Sequence, residues 1–250
     1  MSINERINEQ INEQETEAKN CDIHGEYLAK VNRILHKTFY TSCPDCSKIR
    51  AEKEIERKKL DFDKAEKAAK LRFLESTNIV SRYWNVKLED ITPTENQEKA
   101  YKSCLEFVKR FAEMCEKGQC LVFCGGVGTG KTLLASALIQ SLGGGYYIRA
   151  IDISRSVRNA YSENKSEYEV IKNLSEKSLL VIDEIGVQMN SQAEALLITD
   201  LIDRRYGEML PTILLSNLDR EGICKALGER AFDRIMQNGA LIPITGESNR

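Results

Sequence analysis

The sequence predicts an α/β protein, a parallel sheet flanked by helices, preceded by a small metal-binding N-terminal domain and a helical linker. Three observations carry that expectation. Four short apolar runs, CLVFC, YYIRA, LLVID and TILLS, alternate with helix-like segments in the C-terminal part of the chain, the pattern of a sheet covered on both faces. GGVGTGKT, Gly125 to Thr132, follows the first run almost without interruption, so a glycine-rich turn joins a strand to a helix. Upstream, Cys21-x2-His24 and Cys43-x2-Cys46 form two chelating pairs.

Composition narrows the classes. With 250 residues, 42% of them hydrophobic, the chain can build one or two domains with a real core. No window approaches the roughly 18 consecutive apolar residues of a membrane span. The opening stretch MSINERINEQINEQETEAKN is too polar for a signal peptide. A cytoplasmic location with no membrane partner is expected, and the eight cysteines read as reduced thiols or metal ligands. A net charge of −2 excludes a uniformly basic nucleic-acid binder. Any such contact must come from a local patch or from several assembled subunits.

Residues 1–20 form a polar tail in which Ile3, Ile7 and Ile11 recur four apart, a mobile amphipathic segment or a docking helix for a partner. Residues 21–74 hold the cysteine and histidine pairs and then, from about Ser47 to Leu74, a run charged with both signs and nearly free of Gly and Pro. That run reads as a long exposed helix. A boundary near residue 75 introduces the main domain, 75–250. There Thr94 and Gln97 have capping-box spacing, and an amphipathic helix is expected from them to Gly118.

In GGVGTGKT the residues Gly125, Gly126, Val127, Gly128, Thr129 and Gly130 let successive N–H groups face phosphate oxygens, while the helix behind offers its N-terminus to the same anions. Lys131 is placed to reach the β- and γ-phosphates of ATP, and the Thr132 hydroxyl to ligate Mg²⁺. SLLVIDEIG ends a strand in Asp183 and Glu184. The first is suited to holding Mg²⁺ and the second to activating water, a pairing that favours hydrolysis over nucleotide storage. The segment between Lys131 and Asp183 has room for a further strand and its helices. Asn217, at the end of TILLSN, is placed either to contact the γ-phosphate or lytic water or to begin a helix. Arg230 and Arg234 sit one helical turn apart. They suit an arginine finger for a neighbouring subunit, or an ion pair with Glu229 or Asp233. Arg250 is a weaker candidate for touching nucleotide.

Cys21, His24, Cys43 and Cys46 offer four N/S donors, the set of a closed, structural Zn²⁺ site. His36 is surplus to that set. Cys104, Cys115, Cys120, Cys124 and Cys224 read as core or helix-surface residues.

ESTNIVSRYWN, LEDITPTENQEKA, the phosphate loop, LLVIDEIGVQ, LIDRRYGEMLPTILLSNLD and LGERAFDRI together resemble the DnaC-type helicase loaders, AAA+ P-loop ATPases related to DnaI and to IstB-type transposition helpers. The resemblance covers about residues 75–250. It implies an ATPase that places a hexameric replicative helicase on single-stranded DNA and self-associates through its ATP sites. It also implies Lys131 and Thr132 as Walker A, Asp183 and Glu184 as Walker B, Asn217 as sensor 1, and Arg234, with Arg230 as runner-up, as the finger. The segment before Walker B then becomes a paired-helix DNA contact, with Tyr161 stacking on bases and Arg155, Arg158 and Lys165 near phosphates. The N-terminal region, which contacts the helicase in that family, does not match position by position. An IstB-like regulator of a transposase on duplex DNA is the alternative. A small-molecule kinase is disfavoured by Glu184, Asn217 and the arginine pair.

Overall fold

The computed structural model describes residues 15–34, 37–187 and 192–246. The Ile3, Ile7 and Ile11 stripe, His36 and Arg250 lie outside the described residues. The chain divides into two compact units, Met1–Ala69 and Lys70–Arg250.

The first unit holds an antiparallel sheet of β1 (Thr16–Cys21), β2 (Gly25–Ile34) and β3 (Lys37–Tyr40), in that order. These strands were not expected, because TEAKNC and its partners are polar and largely exposed, with no clean apolar alternation to announce them. Cys21 pairs with Gly25 in the register of β1 on β2, so Asp22, Ile23 and His24 form a tight turn. The helix α1 (Pro44–Ser76) starts with proline in its first turn, where the missing N–H costs nothing. The charged run from Ser47 to Leu74 is helical throughout, and Leu74 is the one buried residue of α1.

The second unit is built on a five-stranded sheet in the order β5-β6-β7-β4-β8, parallel at every pairing. The four expected runs are β4 (Cys120–Cys124), β5 (Tyr146–Arg149), β6 (Leu180–Ile185) and β7 (Thr212–Ser216). A fifth strand, β8 (Gly239–Pro243), lies beside β4. Side chains of β4 alternate between two cores. Leu121 and Phe123 join Phe107, Leu134 and Leu138 on one face, and Val122 joins Ile153, Ile182 and Phe232 on the other. Both faces are therefore dry, as continuous apolar strands require.

The helices of this unit are α2 (Glu98–Lys109), α3 (Phe111–Glu116), α4 (Lys131–Leu142), α5 (Ala150–Ser162), α6 (Glu167–Ser175), α7 (Gln192–Gly207), α8 (Arg220–Leu227) and α9 (Glu229–Gln237). The single helix expected up to Gly118 is broken at Arg110, whose backbone leaves helical geometry (φ −114, ψ 30). Its guanidinium bridges Glu106 and Glu113 across the break. Between α1 and α2 the chain passes through three 3-10 turns, Ser81–Tyr83, Leu88–Asp90 and Glu95–Gln97. Gln140 of α4 anchors this lead-in: its amide donates to the Tyr83 and Val86 carbonyls at 2.8 and 2.9 Å and accepts from Asn85 N–H at 2.9 Å. Earlier in the same segment, Thr77 and Asn78 bond to both backbone groups of Tyr147 on β5. Among the described residues no helix is long and apolar enough to cross a membrane.

Candidate nucleotide and metal sites

The phosphate loop emerges from β4 between two strand ends. Gly125 N–H donates to Ser216 O at 3.2 Å, and Ile244 N–H to Cys124 O at 2.7 Å. Glycine is required at two places for reasons the fold makes specific. At Gly125 (φ +147) a Cβ would collide with the Ile244 carbonyl, and at Gly130 (φ +93) it would run into the Gln97 side chain. α4 then begins at Lys131 with no side chain capping it, which leaves its first N–H groups for an anion. Lys131 is buried, and its Nζ donates to the carbonyls of Gly125 and Gly126 at 2.8 and 2.7 Å. Burial pulls its pKa down, opposed by the nearby Asp183 carboxylate. The cleft in front of the loop, about 420 Å³, is completed by Arg82, Tyr83, Ile91 and Thr92 of the lead-in.

Asp183, Glu184 and Asn217 line the same cleft. Asp183 is buried and accepts from three directions: Thr132 Oγ1 and Tyr147 Oη each donate to Oδ2 at 2.8 Å, and Glu184 N–H donates to Oδ1 at 2.6 Å. Glu184 adopts φ +60, at the place where the register of β6 on β7 shifts between Ile182 and Ile185. A bulge with a left-handed non-glycine residue is costly and gathers at working sites. Here it turns the backbone just where the strand reaches the cleft. Ser216 ties the neighbouring strand to this turn, donating to Ile185 O at 2.7 Å while accepting from Leu218 N–H at 3.1 Å. Asp219, not Asn217, caps α8, accepting from Gly222 N–H at 2.8 Å.

Two residues of this site went unread in the sequence. Gln97 donates to the Thr129 carbonyl inside the loop at 2.8 Å; its capping-box spacing was visible, its second contact was not. Tyr147 carries no motif at all, only a hydroxyl within an apolar run.

Arg230 and Arg234 do not line the cleft. Both turn to Asp203 of α7, Arg230 at 3.2 Å and Arg234 in closer contact, instead of to Glu229 or Asp233. Arg230 is the more open of the two, with 72% of its side chain exposed against 24% for Arg234. The proposed DNA-facing residues lie on α5 and the turn after it. Ile153, Val157 and Ala160 of α5 are buried, and Arg155, Arg158 and Tyr161 occupy its exposed side. Each meets a carboxylate: Arg155 with Asp152 at 3.0 Å, Arg158 with Glu194 at 4.0 Å, Tyr161 with Glu167 at 2.9 Å, and Lys165 with Glu163 at 2.7 Å. Such exposed pairs hold their partners weakly.

A profile of the IstB-like ATP binding proteins matches residues 88–250, most of the second unit. The replicative helicase loader DnaC of Buchnera aphidicola subsp. Schizaphis graminum is 34% identical over 183 residues, 70% of this chain and 73% of that protein. The chain belongs to the DnaC and IstB-like family. The DnaC of Escherichia coli K12 is also 34% identical, over 59% of this chain and 61% of its own. A crystal structure of the DnaC helicase loader superimposes with a TM-score of 0.60 at 27% identity, covering 66% of this chain and 99% of that one. DnaI shares the fold with a TM-score of 0.59. Membership of the DnaC and IstB-like family makes the fold an AAA+ one of an ATP-binding family. The curated relatives carry the helicase-loader name, which disfavours the transposase-regulator alternative.

The DnaC and IstB-like match begins at residue 88, so the cysteine and histidine cluster stands ahead of it. Cys21, His24, Cys43 and Cys46 converge, with all four donor atoms within 4.8 Å of one another. His24 Nδ1 lies 3.8, 3.6 and 3.3 Å from the sulfurs of Cys21, Cys43 and Cys46, and the Cys21 and Cys46 sulfurs are 3.6 Å apart. Tetrahedral zinc, with bonds of about 2.3 Å to sulfur and about 2.0 Å to nitrogen, spaces its ligands about 3.5–3.8 Å apart, so the residues fit the ion. The Ile23 and His24 N–H groups lower the Cys21 pKa to about 6, whereas Cys46, beside Cys21, is pushed up to about 11. The Cys21 thiolate is thus favoured locally, and a bound cation would favour that of Cys46. Of the other cysteines, Cys104, Cys120 and Cys124 are buried, and Cys115 and Cys224 partly so.

Proposed function

We propose that this protein is an ATP-dependent loader that delivers a hexameric replicative DNA helicase onto single-stranded DNA. The observation that carries the reading is the similarity to DnaC loaders over most of their length, on a chain in which the phosphate loop, Asp183, Glu184 and Asn217 line one cleft. Lys131 and the loop N–H groups bind the phosphates, and Glu184 takes the proton of the attacking water while Asn217 orients it. Thr132 and Asp183 hold Mg²⁺, which when bound neutralises phosphate charge. Arg234, aided by Arg230, serves the cleft of an adjacent subunit, in keeping with its place outside its own cleft. Association of ATP-bound subunits then sets several α5–α6 surfaces side by side. Tyr161, Arg155, Arg158 and Lys165 contact single-stranded DNA there, which supplies locally the charge that a net −2 chain lacks. The zinc-bearing N-terminal region grips the helicase, and hydrolysis ends the grip.

The test is co-purification with the replicative helicase of the host or its phage, followed by helicase-dependent unwinding of a substrate with a single-stranded gap. Capture by the wild-type chain, stimulation of unwinding by ATP, and loss of capture in the Cys43→Ser, Cys46→Ser double variant are expected. A chain that binds ATP yet neither captures a hexameric helicase nor stimulates unwinding would refute the proposal.

A further inference from the structure

Tyr147 sits at the centre of the paired elements that meet at Asp183. The residue is 5% exposed, and both of its backbone groups are engaged by the lead-in: Tyr147 N–H donates to Thr77 O at 2.8 Å, and Asn78 Nδ2 donates to Tyr147 O at 2.8 Å. Its hydroxyl reaches across to β6 and donates to Asp183 Oδ2, the same oxygen that accepts from Thr132. At 2.8 Å, with the ring buried, the hydroxyl is a fixed donor toward that carboxylate.

Resting on the nucleotide-site reading above, we propose that Tyr147 is a positioning residue for the Mg²⁺ site: its hydroxyl fixes the rotation of the Asp183 carboxylate. Glu184 N–H holds Oδ1 and Tyr147 holds one lone pair of Oδ2, so the remaining acceptor direction of Oδ2 is the one shared with Thr132. When the Thr132 hydroxyl turns to a cation, Asp183 stays aimed without it. Partners that orient a ligand in this way typically change metal affinity by about 10-fold or more when removed.

The experiment uses the full chain with a fluorescent ATP analogue, titrated in EDTA and then with Mg²⁺. Tyr147→Phe keeps the ring, so analogue affinity in EDTA should stay within about twofold of wild type while the Mg²⁺ midpoint rises about 10-fold. In an Asp183→Asn background the Phe substitution should move the midpoint no further. An unmoved midpoint, or an equal loss with and without Mg²⁺, overturns the inference. If the Phe variant melts early, the titration is repeated below its melting temperature, and an unmoved midpoint there again overturns the inference. Failure of the wild-type chain to bind the analogue at all would instead overturn the nucleotide site itself.

Discussion

Gln97 links two pieces of the candidate nucleotide cleft: its amide nitrogen donates to Thr129 O at 2.8 Å, and its amide oxygen accepts from Thr94 N–H at 3.1 Å. A side chain outside the phosphate loop thereby holds the loop's backbone, and it is 7% exposed. Losing one buried hydrogen bond costs about 1–2 kcal/mol. Gln97→Ala should therefore weaken ATP binding by about 10-fold, read by fluorescence titration. Gln97→Glu, which sets an acceptor against the Thr129 carbonyl, should weaken it further.

Glu184 is held at the bulge with its backbone in the left-handed region. Glu184→Gln keeps shape and removes the base, so ATP binding should persist while turnover falls by at least about 100-fold. Single-turnover assays with radiolabelled ATP separate the two. Normal turnover in that variant would remove Glu184 from the chemistry.

Arg234 and Arg230 rest on Asp203 within their own chain. Arg234→Ala should leave ATP affinity intact and lower ATPase by about 1,000-fold, with Arg230→Ala weaker. Mixing Arg234→Ala subunits with Lys131→Ala subunits should restore part of the activity, because each supplies what the other lacks. No recovery on mixing would argue against service in trans.

Arg205 is the largest fully buried side chain, 1% exposed. It donates to the carbonyls of Ser175, Lys177 and Pro211 and to Thr212 Oγ1 at 2.5–3.0 Å. Burial lowers its pKa to about 10. Arg205→Met removes the side-chain donor that these carbonyls share and should destabilise the second unit by about 3 kcal/mol, measured by urea unfolding. Arg205→Lys should recover little, since one ammonium cannot span them.

Zinc analysis of the purified chain should find about one ion per chain. Strong chelators should melt the first unit, seen as lost amide protection over residues 15–34 and 37–43, because structural zinc is folding energy. ATP binding should survive. Protection unchanged after complete metal removal would count against the site.

Much of the ATPase unit was legible because parallel strands buried on both faces are written as apolar runs: β4 and β7 are buried along their whole length, and β5 and β6 are apolar up to Arg149 and Asp183. β8 was not, since GALIP carries a glycine and a proline and only one buried residue, Ile242. The N-terminal hairpins were hidden for the opposite reason: a small unit gathered around a Cys/His cluster needs little apolar core, so its polar strands leave no period. The break at Arg110 is invisible in a helix-forming stretch and goes with the burial of Met114 beside Phe107 in one core. The phosphate loop, Asp183 and Glu184 were found by motif. Gln97 and Tyr147 were not, because one hydrogen bond across the fold makes no pattern along the chain.

The attachment of Thr77 and Asn78 to Tyr147 also bears on solubility. β5 is one of the two edge strands of the sheet, and its outward backbone groups at Tyr147 are occupied by these two residues. They act as a cover strip over an edge that would otherwise recruit another strand. A fragment beginning after Asn78 keeps every catalytic motif but bares that edge, and should aggregate through strand pairing at concentrations where a fragment beginning at Lys70 stays dispersed.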